Sequence, residues 1–241
     1  MSSIGTLYLL PAGLGDESAA GCPPQACAIA HRLSHFIVEK PKTARAFLKQ
    51  IGYPHPLTSV SMTTLDKDTP PTAIPALLAP LLSGEDAGLL SEAGCPAVAD
   101  PGALLVRAAH QAGIRVVPLT GPSSILLALM ASGLNGQRFS FHGYLPVDAS
   151  ARAAKLRELE KRSRQDDATQ IFIETPYRND AMLAALIEQC TPRTLLCVAA
   201  DLTLATEQVI TRPITDWRKL KLLLDKRPAV FLLYVPPAVS G

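Results

Sequence analysis

Aromatic residues are scarce in this chain: one Trp, five Tyr and six Phe among 241 residues, beside a hydrophobic share of 48%. That imbalance predicts a buried aliphatic core and excludes a disordered chain. Charge of one sign is lacking too. The formal net charge of +2 makes no case for nucleic acid by itself, although a nearly neutral protein can still carry a basic face. The five cysteines, Cys22, Cys27, Cys95, Cys190 and Cys197, include no CxxC pair. Cys22 and Cys27 stand five apart with no later pair to complete a zinc site, and the histidines are isolated, so no metal is expected. No run of about 20 apolar residues exists, and no basic segment leads into a cleavable apolar stretch. A cytoplasmic protein without a membrane partner is the expectation. The full GxGxxG pattern is missing as well. "AGLG" at 12–15 is a fragment of it, which suits a compact turn admitting close approach of a ligand better than a dinucleotide site.

What is present is an alternation of short apolar runs and segments with helical spacing. "TLYLL" (6–10), "HFIVE" (35–39), "AGLLSE" (87–92) and "IRVVPL" (114–119) read as strands. "TARAFLKQI" (43–51), "ALLVRAAHQAG" (103–113) and "GPSSILLALMASG" (121–133) read as helices, and Pro75 and Pro80 limit a helical stretch at 73–84. Strands continuous in apolar residues and alternating with helices predict βαβ units and a mostly parallel sheet covered on both faces. The pattern restarts with strands at 138–145, 169–175, 194–201, 207–214 and 229–235. They are joined by a charged helix over 150–164, with Ser150 as its N-cap, and a helix begun by Pro176. The fold class is therefore α/β, with an N-terminal domain over 1–120 and a C-terminal domain over 121–241, the boundary falling within 120–138.

Ligands of such folds bind at loops beyond the carboxyl ends of the strands, which singles out "PAGLG", "SEAGCPAVADPG" and "TGPSS". The second of these, residues 91–102, holds Glu92, Cys95 and Asp100. As an ordinary turn it would satisfy its own backbone groups; as a site it would cradle an amino acid or nucleoside portion with its backbone. Cys95 has no evident partner for nucleophilic work. "TGPSS" offers hydroxyls and amides at a helix start, which suits either an anion or simple capping. Helix 155–164 carries five Lys/Arg against two Glu, a solvated face or an RNA-binding one.

Taken in order, "SEAGCPAVADPG", "VVPLTGPSS", "ASGL", "FSFHGYLP" and "IFIETPYR" resemble the tetrapyrrole methylase superfamily of S-adenosylmethionine-dependent methyltransferases. The nearest branch looks like the ribosomal RNA small-subunit methyltransferase I type, which methylates a cytidine 2′-hydroxyl. The resemblance spans almost the whole chain. It implies two α/β domains with the cofactor in a cleft between them, and a homodimer. It also implies cofactor-binding roles for Pro11, Ala93, Gly94, Cys95, Val98, Ala99, Ser123, Ser124, Glu174 and, through an altered motif, Ala200. Glu39, Glu92, Asp100, Tyr177 and Arg178 fall where the acceptor would be met, and no catalytic base is identified. This chain departs from the branch at Glu92 and Cys95, where Asp and Thr are usual. It departs again at "EKPK" (39–42), which keeps Glu39 and, further on, Arg45 of an acidic–Thr–Arg turn, and at Ala200, where an arginine is usual. The cofactor loops are thus better kept than the acceptor-facing ones. The acceptors that fit are an RNA ribose, a tetrapyrrole or another small molecule, and a non-catalytic regulator binding the same cofactor is a third class.

Overall fold

The computed structural model describes residues 4–15 and 21–237. They form two compact units, Met1–Ser123 and Ser124–Gly241.

In the first unit, β1 (Thr6–Leu10), β2 (His35–Val38), β3 (Ser61–Thr64), β4 (Ala87–Leu90) and β5 (Arg115–Pro118) build one sheet. Their order is β3-β2-β4-β1-β5, and every pairing in it is parallel. Successive side chains of a strand point to opposite faces, and the core divides accordingly. Leu7, Ile37 and Leu89 pack on one face with Leu77, Leu81, Leu105 and Ala109. Leu10, Phe36, Val38 and Leu90 pack on the other with Ala44, Phe47 and Leu48. The helices supplying these residues are α2 (Pro41–Gln50), α3 (Ile74–Leu77), α4 (Ala79–Leu82) and α5 (Gly102–Gln111), and α1 (Pro24–Ala30) adds Ala30 to the second face. α1 falls where the sequence pattern predicts no element, and α2 starts two residues earlier than the spacing predicts. Both open on a proline, whose missing amide is harmless in a first turn. Pro80 divides the 73–84 stretch into α3 and α4, since a proline inside a continuous helix removes a hydrogen bond and clashes with the preceding turn, while Pro75 lies in the first turn of α3.

The second unit contains α6 (Ser124–Ser132), β6 (Phe139–Tyr144), α7 (Ala149–Asp166), β7 (Thr169–Ile173), α8 (Asn179–Gln189), β8 (Leu195–Ala200), β9 (Gln208–Pro213), α9 (Ile214–Trp217) and β10 (Ala229–Tyr234). The sheet order is β6-β7-β10-β8-β9. β6 and β7 are parallel, whereas β10 lies antiparallel between β7 and β8, and β9 antiparallel beside β8. Phe172 and Phe231 stack with ring centroids 5.9 Å apart at the middle of the core. Leu156 and Leu159 of α7, Met182 and Leu186 of α8, and Trp217 surround them. The N-cap of α7 is Asp148, whose Oδ1 accepts from the Ala151 amide at 2.8 Å. Ser150 therefore sits inside the first turn rather than capping it; a carboxylate two residues upstream wins because it also meets the helix's positive end.

Because β10 opposes its neighbours, Ala229 pairs with Ala200 and Val230 with Ile173. The carboxyl ends of β7 and β8 and the start of β10 thus share one sheet edge. Among the described residues no helix is long and apolar enough to cross a membrane.

Candidate functional site

In the first unit the loops leaving β1, β4 and β5 are knitted together at the carboxyl edge of the sheet. β1 leads on to β2 and β4 to β5, so these neighbours send their connections in opposite senses, the place where open α/β sheets bind ligands. The Ala12 amide donates to the Gly94 carbonyl at 2.9 Å, and the Gly94 amide returns the bond to Ala12 at 3.1 Å. The loop after β5 closes against the same point. A Cβ on Gly121 would lie 2.2 Å from Cγ of Pro11, so only a glycine lets these two loops meet. Cys95 joins from the β4 side, its thiol 3.4 Å from the Pro122 carbonyl that accepts from it. Pro11, Gly94 and Cys95 are thereby brought beside the turn that leads through Ser123 into Ser124, the first residue of α6.

Residues 91–101 are held in an unusual backbone path. Gly94, Ala97 and Ala99 all have positive φ, at 71°, 65° and 59°. For alanine that conformation costs roughly 1–3 kcal/mol each, a strain that persists only where the surroundings impose it. Asp100 is what imposes it here. Its Oδ1 accepts from the Ala97 amide at 2.7 Å and from the Gly102 amide at 2.8 Å. Burial pushes the Asp100 carboxyl above its ordinary range, and the two amides partly offset this. The side chains left along the loop are small, with Ala93, Val98 and Ala99 exposed. A Cβ on Gly94 would find only Leu14 and the Pro122 carbonyl, at 3.4 and 3.7 Å. This loop offers backbone groups and an apolar wall, which fits a donor made of an adenosine and an amino acid. It holds nothing resembling a metal cage, and among the described residues no group of three or more His, Cys, Asp or Glu is placed to bind one.

Next to it on the same edge lies an acidic group. Lys40 Nζ donates to Glu92 Oε2 at 2.7 Å, and Glu39, just past β2, feels the charges of Glu92, Asp100 and Asp66. Burial first, and these neighbours second, raise the Glu39 carboxyl above its ordinary range, with Lys40 working the other way. Glu92 is thus committed to Lys40 and Asp100 to the loop. Glu39 makes no hydrogen bond or ion pair among the described residues. The thiols carry no such activation. Burial raises Cys95, Cys22 and Cys190, the last two to about 12, and Cys197 to about 11, so none of these four is a ready nucleophile.

In the second unit, Glu174, Tyr177, Arg178 and Ala200 all lie along the edge where β7 and β8 end. The Glu174 side chain is fully buried, and its Oε1 accepts from Arg178 at 2.6 Å and from the Thr175 amide at 2.6 Å. Burial pushes its carboxyl up, but the Arg178 and Thr175 bonds outweigh this and leave it below the ordinary range. Its Oε2 is buried and accepts no hydrogen bond among the described residues, an unsatisfied acceptor of a kind that is rare in folded proteins. Tyr177 is 80% exposed. Ala200 is buried, and the residue after it, Asp201, accepts from Arg227 Nε at 2.6 Å and from Thr206 at 2.8 Å. Sequence reasoning misses Arg227, Lys40 and Gly121. Gly121 is visible as the glycine of "TGPSS"; the two cations are not, because their partners stand 26 and 52 residues away.

The family described as Tetrapyrrole (Corrin/Porphyrin) Methylases matches residues 6–217. A Xylella fastidiosa (strain Temecula1) protein named Ribosomal RNA small subunit methyltransferase I is 37% identical over 213 residues, covering 87% of this chain and 73% of the relative. Proteins of the same name from Escherichia coli O157:H7 and Vibrio cholerae are 30% identical over 215 residues and 40% over 136. The E. coli match covers 89% of this chain and 71% of the relative; the V. cholerae match covers 56% and 46%. Among solved structures, that titled "Crystal structure of the methyltransferase CobJ" superposes with a TM-score of 0.63 at 19% identity, covering 96% of this chain and 94% of the other. That likeness speaks for the fold.

Proposed function

The chain belongs to the tetrapyrrole methylase family of S-adenosylmethionine-dependent methyltransferases, and from that premise we propose that its acceptor is a ribose 2′-hydroxyl of RNA. One observation carries the proposal: identity of 37% across 87% of this chain with a relative named for ribosomal RNA. Bound S-adenosylmethionine supplies a methyl group on a positively charged sulfur, which keeps the electron pair of the broken C–S bond. The acceptor oxygen forms the new bond to that carbon and must lose its proton, so the protein supplies position, dryness and a base. Pro11, Ala93, Gly94, Cys95, Val98 and Ala99 provide the backbone-lined wall. Ser123, Ser124, Glu174 and Ala200 bind the donor's polar parts. Glu39 takes the proton, because Glu92 is paired with Lys40, Asp100 with the loop amides and Asp66 with Thr69, and a raised carboxyl is a stronger base near neutrality. Glu92, Asp100, Tyr177 and Arg178 face the acceptor's side, Glu92 and Asp100 through the loop they shape.

The proposal extends to a cytoplasmic homodimer whose domains are residues 1–120 and 121–241. Met130, 79% exposed on α6, is an apolar group suited to such an interface. Transfer of labelled methyl from S-adenosylmethionine into fractionated cell extract tests the reading. Label in small-subunit ribosomal RNA at a ribose supports it; label confined to small molecules, or none at all, overturns it.

A further inference from the structure

The cations expected to meet RNA lie on α7, yet three of them are engaged within the protein. Lys155 and Arg162 both pair with Glu158, and Arg157 donates to Gln189. A second basic segment differs. Between α9 and β10 the chain reads "RKLKLLLDKR" (218–227), five cations against one carboxylate, and it forms neither helix nor strand. Lys219 reaches Asp216 at 3.6 Å and Arg227 is spent on Asp201. Arg218, Lys221 and Lys226 are exposed and meet no carboxylate among the described residues.

This segment is irregular without being loose. Leu224 is fully buried, and its amide donates to Asp180 Oδ1 at 2.7 Å. The Arg227 carbonyl accepts from Asn179 at 2.7 Å, and Asp225 and Lys226 are held at φ of 42° and 62°. Two successive non-glycine residues in the left-handed region are costly, and the pinning on either side sustains them. The turn they make sets Lys226 Nζ 5.3 Å from the centre of the Tyr177 ring. Tyr177 stands on its own rigid turn, between Pro176 and the Arg178–Glu174 pair. An exposed ring on a fixed turn, with the Lys226 ammonium over one face and the exposed Lys221 and Arg218 farther along the same segment, is an arrangement that takes an unstacked base on the open face and phosphates on the cations.

We propose that Tyr177, Lys226, Lys221 and Arg218 form the surface that grips a single-stranded segment of RNA, with one base stacked on Tyr177. The inference rests on the RNA acceptor proposed above and assigns it to this edge rather than to α7. An acidic peptide would use the cations alike but would gain nothing from the exposed ring.

The test is fluorescence anisotropy of the full chain with a labelled 12-nucleotide single-stranded RNA, its blunt duplex, and polyglutamate, over a range of KCl. Tyr177→Ala should weaken single-strand binding at least about fivefold, the low end for losing one stacked base, while Tyr177→Phe keeps it. Lys221→Ala should flatten the dependence of log affinity on log salt by about 0.7. Circular dichroism melts confirm that each variant folds. Single-strand binding unchanged in Tyr177→Ala and in the double variant R218E/K221E, or wild-type binding of polyglutamate as tight as of RNA, overturns the proposal. Methyl incorporation into RNA by the wild type judges the acceptor separately, so loss of that reading leaves the binding result to decide this surface.

Discussion

The two units reach comparable compactness by opposite means, and their candidate site residues follow suit. The first is an all-parallel sheet with helices on both faces. Its edge is built from backbone, in which Ala12 pairs with Gly94 and Gly121 lies against the Pro11 ring with no room for a side chain. The second is a mixed sheet around β10, and its edge is built from side-chain pairs, Glu174 with Arg178 and Asp201 with Arg227. The first should therefore be intolerant of added bulk and little affected by pH, apart from Asp100 within its loop and one exception that serves the chemistry, Glu39. The second should tolerate changes of size and respond to removal of charge.

The largest effect is expected at the exception. Glu39→Gln should lower methyl transfer about 10²- to 10⁴-fold, the usual worth of a general base, with donor binding by calorimetry unchanged. Because the folded protein raises this carboxyl, its contribution to stability is fully present below the ordinary glutamate pKa and is lost as pH rises through the raised value. The same variant should therefore melt higher at pH 7 and no higher at pH 3. A variant that keeps wild-type turnover would remove Glu39 from the mechanism.

Next in size is Gly121→Ala. Its new methyl group would overlap the Pro11 ring, so the loops after β1 and β5 must part, at about 1–3 kcal/mol. Thermal melts should show the loss, and calorimetry should show weakened binding of S-adenosylhomocysteine. Unchanged values for both would mean that the backbone-built edge gives more freely than its geometry implies.

Arg178→Ala probes the other edge. It strands the buried Glu174 carboxylate, so the variant should melt several degrees lower at pH 7. Glu174 is held below the ordinary range, so the pair's contribution is present above the ordinary pKa and disappears as pH falls through the lowered value. Wild type and variant should converge in acid, and a constant gap across the titration would assign the loss to packing alone. The smallest effect is kinetic. Cys190 and Cys197, buried in the second unit and raised to about 12 and about 11, should react with a thiol reagent at pH 8 only as the protein unfolds, which absorbance titration with and without denaturant would show.

Much of the first unit is legible in the amino-acid sequence alone. Its glycine- and proline-rich loops announce themselves, and continuous apolar strands imply two covered faces, which the parallel sheet possesses. α1 is not legible, because seven residues opening on Pro24, after Pro23 as N-cap, carry too little periodicity to stand out. In the second unit the strands are visible and their order is not. Apolar runs carry no direction, so nothing in "AVFLLYV" says that it enters antiparallel between β7 and β8. The loop 91–101 is readable as a site, but not its strain, since the positive φ values at Ala97 and Ala99 come from Asp100 reaching back to the backbone amides. The Asp201–Arg227 pair is hidden for the same physical reason as the place of β10: both depend on residues far apart in the chain.

The central position of β10 also sets the order in which the chain can mature. The sheet of the first unit has all its strands once β5 is made, by residue 118. That of the second lacks its middle until residues 229–234 arrive, and until then β7 and β8 offer two bare, apolar edges to any other chain nearby. During synthesis the first unit can close early, while the second remains a hazard until residues 229–234 are made. Mutations or truncations in "AVFLLYV" would therefore reveal themselves first as aggregation of newly made protein, well before any change in methyl transfer could be read.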